Sequence, residues 1–288
     1  MTTRTRRPLS VQELVGAALA EDVGDGDRTT LWTVPEDLTG RARIVAREAG
    51  IVAGTDPAGA TFDAVDPKLE VSWDREDGSP VAAGETIGTV AGPLRALLVA
   101  ERTALNFLGR LSGIATLTSR FVAAVAGTGC RVTDTRKTTP GWRFLEKAAT
   151  RAGGAINHRR GLFDMVLVKE NHIRAAGGIG RALELVRDPA RMEGLAVEVE
   201  VTSLDELEEA LAGSPDRILL DNMDPDLLRA AVGRVRSLPP PRPLLEASGG
   251  IRLETVGDVA KTGVDLVSVG ALTHSAPALD LTLLVEAG

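Results

Sequence analysis

The chain has 288 residues, 43% of them hydrophobic and 25% charged, with a formal charge of −7. That balance describes a globular protein able to bury a sizeable core, and its acidity argues against non-specific nucleic-acid binding. The single cysteine, Cys130, excludes an internal disulfide and fits a reducing compartment, and no apolar run approaches a membrane span.

The first ten residues carry Arg4, Arg6 and Arg7 with no apolar stretch behind them, so we read them as a frayed terminus of a cytoplasmic protein rather than a signal peptide. Ser10 and Glu13 form a capping box ahead of a first helix. The acidic loop Glu21–Thr30 lacks the distal glutamate of a calcium loop and reads as a turn. From Gly40 to Gly92, glycine punctuates short strands: Arg41–Ala46, Gly50–Gly54, Leu69–Trp73 and Gly84–Gly92. Val81–Gly92 has the flavour of a lipoyl-type module but no lysine at a hairpin tip, so we read it as scaffold. Pro93 then opens a helix through Leu108, and a second helix is predicted over Ser112–Ala126.

Beyond Ala126 the pattern alternates. Six strands are predicted, over Cys130–Thr133, Met165–Val168, Ala196–Val201, Ile218–Leu220, Leu244–Ala247 and Leu266–Val269. Helical patterns separate them, among them Leu204–Leu211, Pro225–Val235 (capped by Asp224) and Leu253–Thr262. Such spacing gives a parallel α/β sheet, and six or seven units without a dinucleotide fingerprint favour a (β/α) barrel over an open doubly wound sheet.

In α/β barrels chemistry lies at the carboxyl ends of the strands. Here those ends carry Arg136 and Lys137, then Lys169-Glu170-Asn171, Glu198 and Glu200, Asp221-Asn222, Ser248-Gly249-Gly250, and Gly270. Asn157-His158-Arg159-Arg160 lies between the first two. An arginine fork beside an ammonium suits carboxylate or phosphate, and the two glycine turns on the last strands suit a phosphate. Unpaired buried cations cost several kcal/mol each, so the cluster implies a multiply anionic ligand. Glu198 and Glu200 share one side of their strand. Glu198, next to the strand ending at Asp221, is the favoured functional carboxylate, and this pair suits a hydrated magnesium ion or a developing cationic sugar. For Glu200 a structural ion pair is as good an account as function. His172 reads as structural, and His274 is placed to touch a phosphate.

These motifs resemble the quinolinate phosphoribosyltransferase family along nearly the whole chain. The matching stretches include Glu21-Asp22 with Gly26-Asp27, Glu101–Asn106, Thr135–Gly141, Asn157-His158-Arg159 and Val168–His172. Val197–Glu200, Leu220–Met223, Ala247–Gly250 and Ser268–His274 complete the set. The resemblance implies an amino-terminal α/β sandwich domain (1–108, joined by the tail 276–288) followed by an open, incomplete barrel (109–275) of six to seven parallel strands. It implies a homodimer, or an assembly of dimers, with shared active sites. Quinolinate would meet Thr135, Arg136, Lys137, His158, Arg159 and Lys169, with Arg102 reaching in from the partner subunit. Phosphoribosyl pyrophosphate would use Glu198, Asp221, Ser248, Gly249, Gly250, Gly270, Ala271 and His274, and Mg2+ would be held by Glu198 and Asp221, directly or through water.

The reaction so implied joins the ring nitrogen of quinolinate to the ribose, releases pyrophosphate and loses CO2 to give nicotinate mononucleotide. Lys137, Lys169, Glu198 and Asp221 are its expected catalytic residues. Three rivals are a Schiff-base enzyme built on Lys169, a related transferase acting on another aromatic acid, and a non-catalytic anion-binding module.

Overall fold

A computed structural model describes residues 9–286; the stretch with Arg4, Arg6 and Arg7 lies outside the described residues. In chain order, α1 (Val11–Val23) opens with its predicted capping box: Ser10 Oγ accepts from Glu13 N, and Glu13 accepts from Ser10 N. The acidic loop ends in α2 (Arg28–Thr33), where Asp27 is the N-cap and accepts from Thr30 N at 3.0 Å. Then follow β1 (Thr39–Ala46), β2 (Gly50–Ile51), α3 (Thr55–Val65), β3 (Glu70–Trp73), β4 (Pro80–Val81) and β5 (Thr86–Pro93). Helix α3 interrupts a stretch that glycine spacing presented as β throughout. Gly54, left-handed at φ 95°, turns the chain into it, and burial of Pro57, Ala58, Thr61 and Phe62 on one face holds it.

The next element corrects the sequence reading. The chain from Leu94 to Ala124 is one helix, α4, rather than two. Glycine inside a helix costs about 1 kcal/mol relative to alanine, but Gly109 and Gly113 have a packing reason. A Cβ at Gly109 would stand 3.0 Å from Leu279 O, and one at Gly113 would stand 1.9 Å from Pro277 O. These glycines admit a crossing backbone; they do not break the helix.

The remaining elements are β6 (Arg131–Thr133), α5 (Arg143–Ala152), β7 (Val166–Val168), α6 (Glu170–Ala176), α7 (Ile179–Glu193), β8 (Val197–Val201) and α8 (Leu204–Ala212). After them come β9 (Arg217–Asp221), α9 (Pro225–Arg236), β10 (Leu244–Ser248), α10 (Leu253–Ala260), β11 (Leu266–Ser268), α11 (Ala271–His274) and β12 (Leu281–Glu286). Asp224 caps α9 as predicted, accepting from Asp226 N and Leu227 N.

The chain divides into two compact units. One holds the chain up to Thr118 together with Thr139–Gly154 and the residues from Ala276 on; the other holds Ser119–Thr138 and Ala155–Ser275. The first contains an antiparallel sheet in the order β12-β1-β5-β3 and a β2-β4 ribbon. Its core gathers Ile44, Phe62, Ile87, Leu97 and Leu108. A second cluster contains Phe107, which stacks on Trp142 with ring centroids 4.8 Å apart.

The second unit is a six-stranded parallel sheet in the order β6-β11-β10-β9-β8-β7. The earliest strand in sequence pairs with the last, as in a barrel. A single parallel bridge from Thr133 to Ile156 adds a rudimentary seventh strand beside β6. No ladder joins Ile156 to β7 among the described residues, so the barrel is open there. Side chains alternate between the two faces of each strand. Val199, Val201, Ile218, Leu220, Leu245 and Ala247 form a buried apolar set, while the intervening positions carry the charges.

Replacing Gly113 with valine is expected to lower unfolding free energy by about 1–3 kcal/mol, the usual cost of overpacking. Urea denaturation measures it, and an unchanged midpoint would mean that the Pro277 segment does not press on the helix.

Candidate active site

The inward side of these parallel strands lines a cavity of about 640 Å³. Its cations are Arg136, Lys137, Arg159 and Lys169; its carboxylates are Glu200, Asp221 and Glu246. Thr135, His158, Ser248, Gly249 and Gly250 also reach it. One continuous wall therefore collects most of the residues singled out from strand ends.

The β6 end is built first. Asp134, fully buried, accepts from His158 N at 2.9 Å and from Asn157 Nδ2 at 2.6 Å, which fixes the loop carrying His158 and Arg159. Thr135 Oγ1 accepts from Lys137 N at 3.0 Å, and Lys137 O accepts from Thr273 Oγ1 at 2.7 Å. Arg136 and Arg159 lie close enough that their charges oppose each other: burial and the Arg136 guanidinium lower the pKa of Arg159. The Nε of Arg136 is buried and has no hydrogen-bond partner among the described residues. Two guanidinium groups held against their own repulsion are preorganised for an anion.

The carboxylates depart from the sequence reading. Glu198 is fully buried and does not line the cavity. In the β8–β9 ladder Glu198 stands opposite Arg217 and Glu200 opposite Leu219, which leaves Asp221 four residues beyond the partner of Glu198. Four residues of strand are about 13 Å, so Glu198 and Asp221 lie at different depths. Glu200 is the β8 carboxylate that reaches the cavity with Asp221, two residues from its register partner. It forms an ion pair with Lys169. One of the four cations is thus met by the protein itself, and the positive excess is smaller than the strand ends alone suggest.

Glu198 instead faces His158, whose Nε2 lies 3.0 Å from Glu198 Oε2 and 3.6 Å from Glu246 Oε1. His158 Nδ1 accepts from Arg159 N at 2.8 Å, which places the imidazole proton on Nε2, towards the two carboxylates. Burial foremost, and then the Glu198 charge, push the Glu246 carboxyl above its ordinary range, to about 7. Among the described residues, His158, Glu198 and Glu246 are one buried group whose donor atoms lie within 4.8 Å of one another. Glu246 was absent from the candidates read from sequence. The signal was present, since Glu246 precedes Ser248 by two and so shares its face.

The β9 and β10 ends lock together. Asn222, at φ 54°, donates its N–H to Ser248 O at 2.9 Å and its Nδ2 to Asp221 Oδ2 at 2.7 Å. Gly249 has φ 92°, and a Cβ there would lie 2.2 Å from Asn222 Oδ1. Gly250 has φ 61° with nothing within 4 Å of an added Cβ. Gly270, Ala271 and His274 are not in the cavity wall. Gly270 sits between Lys137 and His274: a Cβ on it would be 3.0 Å from Lys137 Cδ and 3.2 Å from His274 Nε2, and Ala271 follows as the first residue of α11. His172 accepts from Lys169 N at 3.0 Å and so caps α6, the structural role predicted for it. Arg102 is exposed on α4 in the first unit.

Gly249→Ala is expected to cost about 1–3 kcal/mol through backbone strain and to displace Asn222. Gly250→Ala, at a left-handed φ of 61° but with open space for the Cβ, should cost about 1–2 kcal/mol through its backbone alone. Denaturation midpoints and turnover of the two variants provide the check; equal effects would refute the role given to the Asn222 contact.

Comparison with known proteins agrees with this geometry. Residues 27–112 match the quinolinate phosphoribosyl transferase N-terminal domain and residues 114–284 its C-terminal domain. The chloroplastic nicotinate-nucleotide pyrophosphorylase [carboxylating] of Arabidopsis thaliana is 44% identical over 96% of this chain and 83% of its own. That of Mycobacterium leprae is 44% identical over 95% of this chain and 96% of its own. The solved structure of the nicotinate-nucleotide pyrophosphorylase from Francisella tularensis superposes with a TM-score of 0.90 at 41% identity, covering 96% of each chain. The chain belongs to the quinolinate phosphoribosyltransferase family, and is an enzyme of NAD biosynthesis that transfers phosphoribose to quinolinate with decarboxylation.

Proposed function

We propose that the cavity of the second unit is where this reaction takes place, with its cations on quinolinate and its carboxylates and glycine turn on phosphoribosyl pyrophosphate. The observation that carries the assignment is the pair of mutually repelling guanidinium groups, Arg136 and Arg159, with an unpartnered buried Nε on Arg136. A dicarboxylate supplies the acceptor that the Arg136 Nε lacks and offsets the repulsion between the two groups. Lys137, Lys169 and His158 complete the cradle, and their work is to hold the ring nitrogen in line with the ribose C1′.

Asp221, Ser248, Gly249 and Gly250 face the ribose and phosphates. As C1′ loses pyrophosphate and gains oxocarbenium character, Asp221 and Glu200 stabilise the positive charge. These two carboxylates also fit a hydrated Mg2+ ion better than Glu198 and Asp221 do, because both reach the cavity and lie on neighbouring strands; the ion would neutralise charge on the departing pyrophosphate. Gly270, Ala271 and His274 act from beside Lys137 as the rim of the same site. Arg102, exposed on α4, is proposed to complete the site of a second subunit in a homodimer. We place the enzyme in the cytoplasm. Support comes from the one free, buried cysteine and from the absence, among the described residues, of any helix long and apolar enough to cross a membrane.

The primary assay incubates the protein with quinolinate, phosphoribosyl pyrophosphate and Mg2+ and looks for nicotinate mononucleotide and CO2. Arg136→Ala should weaken quinolinate binding by at least about 2 kcal/mol with an unchanged circular dichroism spectrum; loss of the folded spectrum would make the residue structural. Mixed dimers of Arg102→Ala and Arg136→Ala subunits should regain part of the activity, through one intact site per dimer. Zero recovery from demonstrated heterodimers would remove the shared site.

A further inference from the structure

Decarboxylation leaves an electron pair on C2 of the pyridinium ring, and that carbon must receive a proton. The cavity wall offers few donors. Arginine does not release its proton. Lys169 is held by Glu200. Lys137 lines the cavity and is engaged with the substrate's carboxylates in the proposed cradle. His158 Nε2 lies 3.0 Å from Glu198, on the side of the two buried carboxylates.

Glu246 is different. It belongs to the cavity wall and is fully buried. The groups facing it are Glu198 on β8, His158 on its loop, Arg217 on β9 and Ser268 on β11. One imidazole faces two carboxylates, Glu198 at 3.0 Å and Glu246 at 3.6 Å. Glu246, out of water and beside a like charge, keeps its proton to a higher pH than an ordinary carboxyl.

We propose that Glu246 is the catalytic acid that protonates C2 after CO2 departs. The step rests on the proposed binding of quinolinate in this cavity. The bond from C2 to its carboxyl carbon breaks, CO2 leaves, and the electron pair stays on C2. The Glu246 O–H bond then breaks as the C2–H bond forms. The carboxylate left behind, beside Glu198 and of raised pKa, readily regains a proton from solvent that enters the cavity once product has left. An acid with an ordinary carboxyl pKa would be ionised at neutral pH and have nothing to give. The upward shift of Glu246 supports the role.

The test is a single-turnover quench of the full-length enzyme with quinolinate labelled in its 2-carboxylate, phosphoribosyl pyrophosphate and Mg2+, following pyrophosphate and CO2 separately. Because the C2 carbanion recaptures CO2 until a proton reaches it, Glu246→Gln should release pyrophosphate at the wild-type rate but form nicotinate mononucleotide and CO2 about 100-fold more slowly, with quinolinate mononucleotide accumulating. Glu246→Asp should recover part of the loss. Pyrophosphate and product slowed together, or neither slowed, would overturn the proposal. A wild type that releases no pyrophosphate would instead refute the binding assignment. Should the glutamine variant fail to fold, the wild type decides: product formation falls as pH rises above neutral while pyrophosphate release does not, and parallel profiles would overturn the proposal.

Discussion

The site depends on keeping ionisable groups inside a barrel without letting them neutralise one another completely. Barrel interiors of this class are usually filled by layers of branched apolar side chains. Here the inner positions of β8 and β10 bear Glu198, Glu200 and Glu246. Each carboxylate meets a different solution. Glu200 takes Lys169, Glu198 lies nearest the imidazole of His158, and Glu246 is left against a like charge. Arg136 and Arg159 are left against each other. These two unresolved repulsions, one of each sign, are where a ligand or a proton gains most by arriving.

Backbone geometry makes the arrangement possible. Alternation in a parallel strand gives the apolar set Val199, Val201, Ile218 and Leu220 to one face, fully buried, and so frees the other face for polar work. The loops then need anchors. Asp134 binds the 157–158 backbone and side chain, while Asn222 and Gly249 bind the ends of β9 and β10. None of these anchors need touch substrate, yet each fixes a group that faces the cavity. Their cost is local: left-handed backbone at Asn222 and Gly249.

Legibility in the sequence followed the strength of local signals. The six strands, the capping box at Ser10 and the Asp224 cap were readable because period and cap chemistry are local. The continuous helix α4 was not. Gly109 and Gly113 look like breakers until the segment 277–279 that crosses them is known, and that contact spans more than 160 residues. The cations at Arg136 and Lys169 were readable because they follow apolar runs, and Arg159 because it lies in the stretch between those two strands. The choice between Glu198 and Glu200 was not, because alternation gives the face and only the ladder register gives the depth. Glu246 was hidden for a related reason. It lies within the strand rather than at its end, where attention to strand ends does not reach.

Depth is therefore a chemical variable in this barrel. Near the mouth, carboxylates such as Asp221 remain partly exposed and suited to carry negative charge opposite a forming cation. One layer down, Glu246 is shut away from water and is suited to carry a proton. The same functional group thus serves two successive demands of one reaction, charge stabilisation and then proton delivery, and its distance from solvent decides which. Filling the lower layer with leucine would relieve burial penalties and stabilise the fold. It would also leave the site with cations, the Glu200 and Asp221 carboxylates, and no buried acid to complete the loss of CO2.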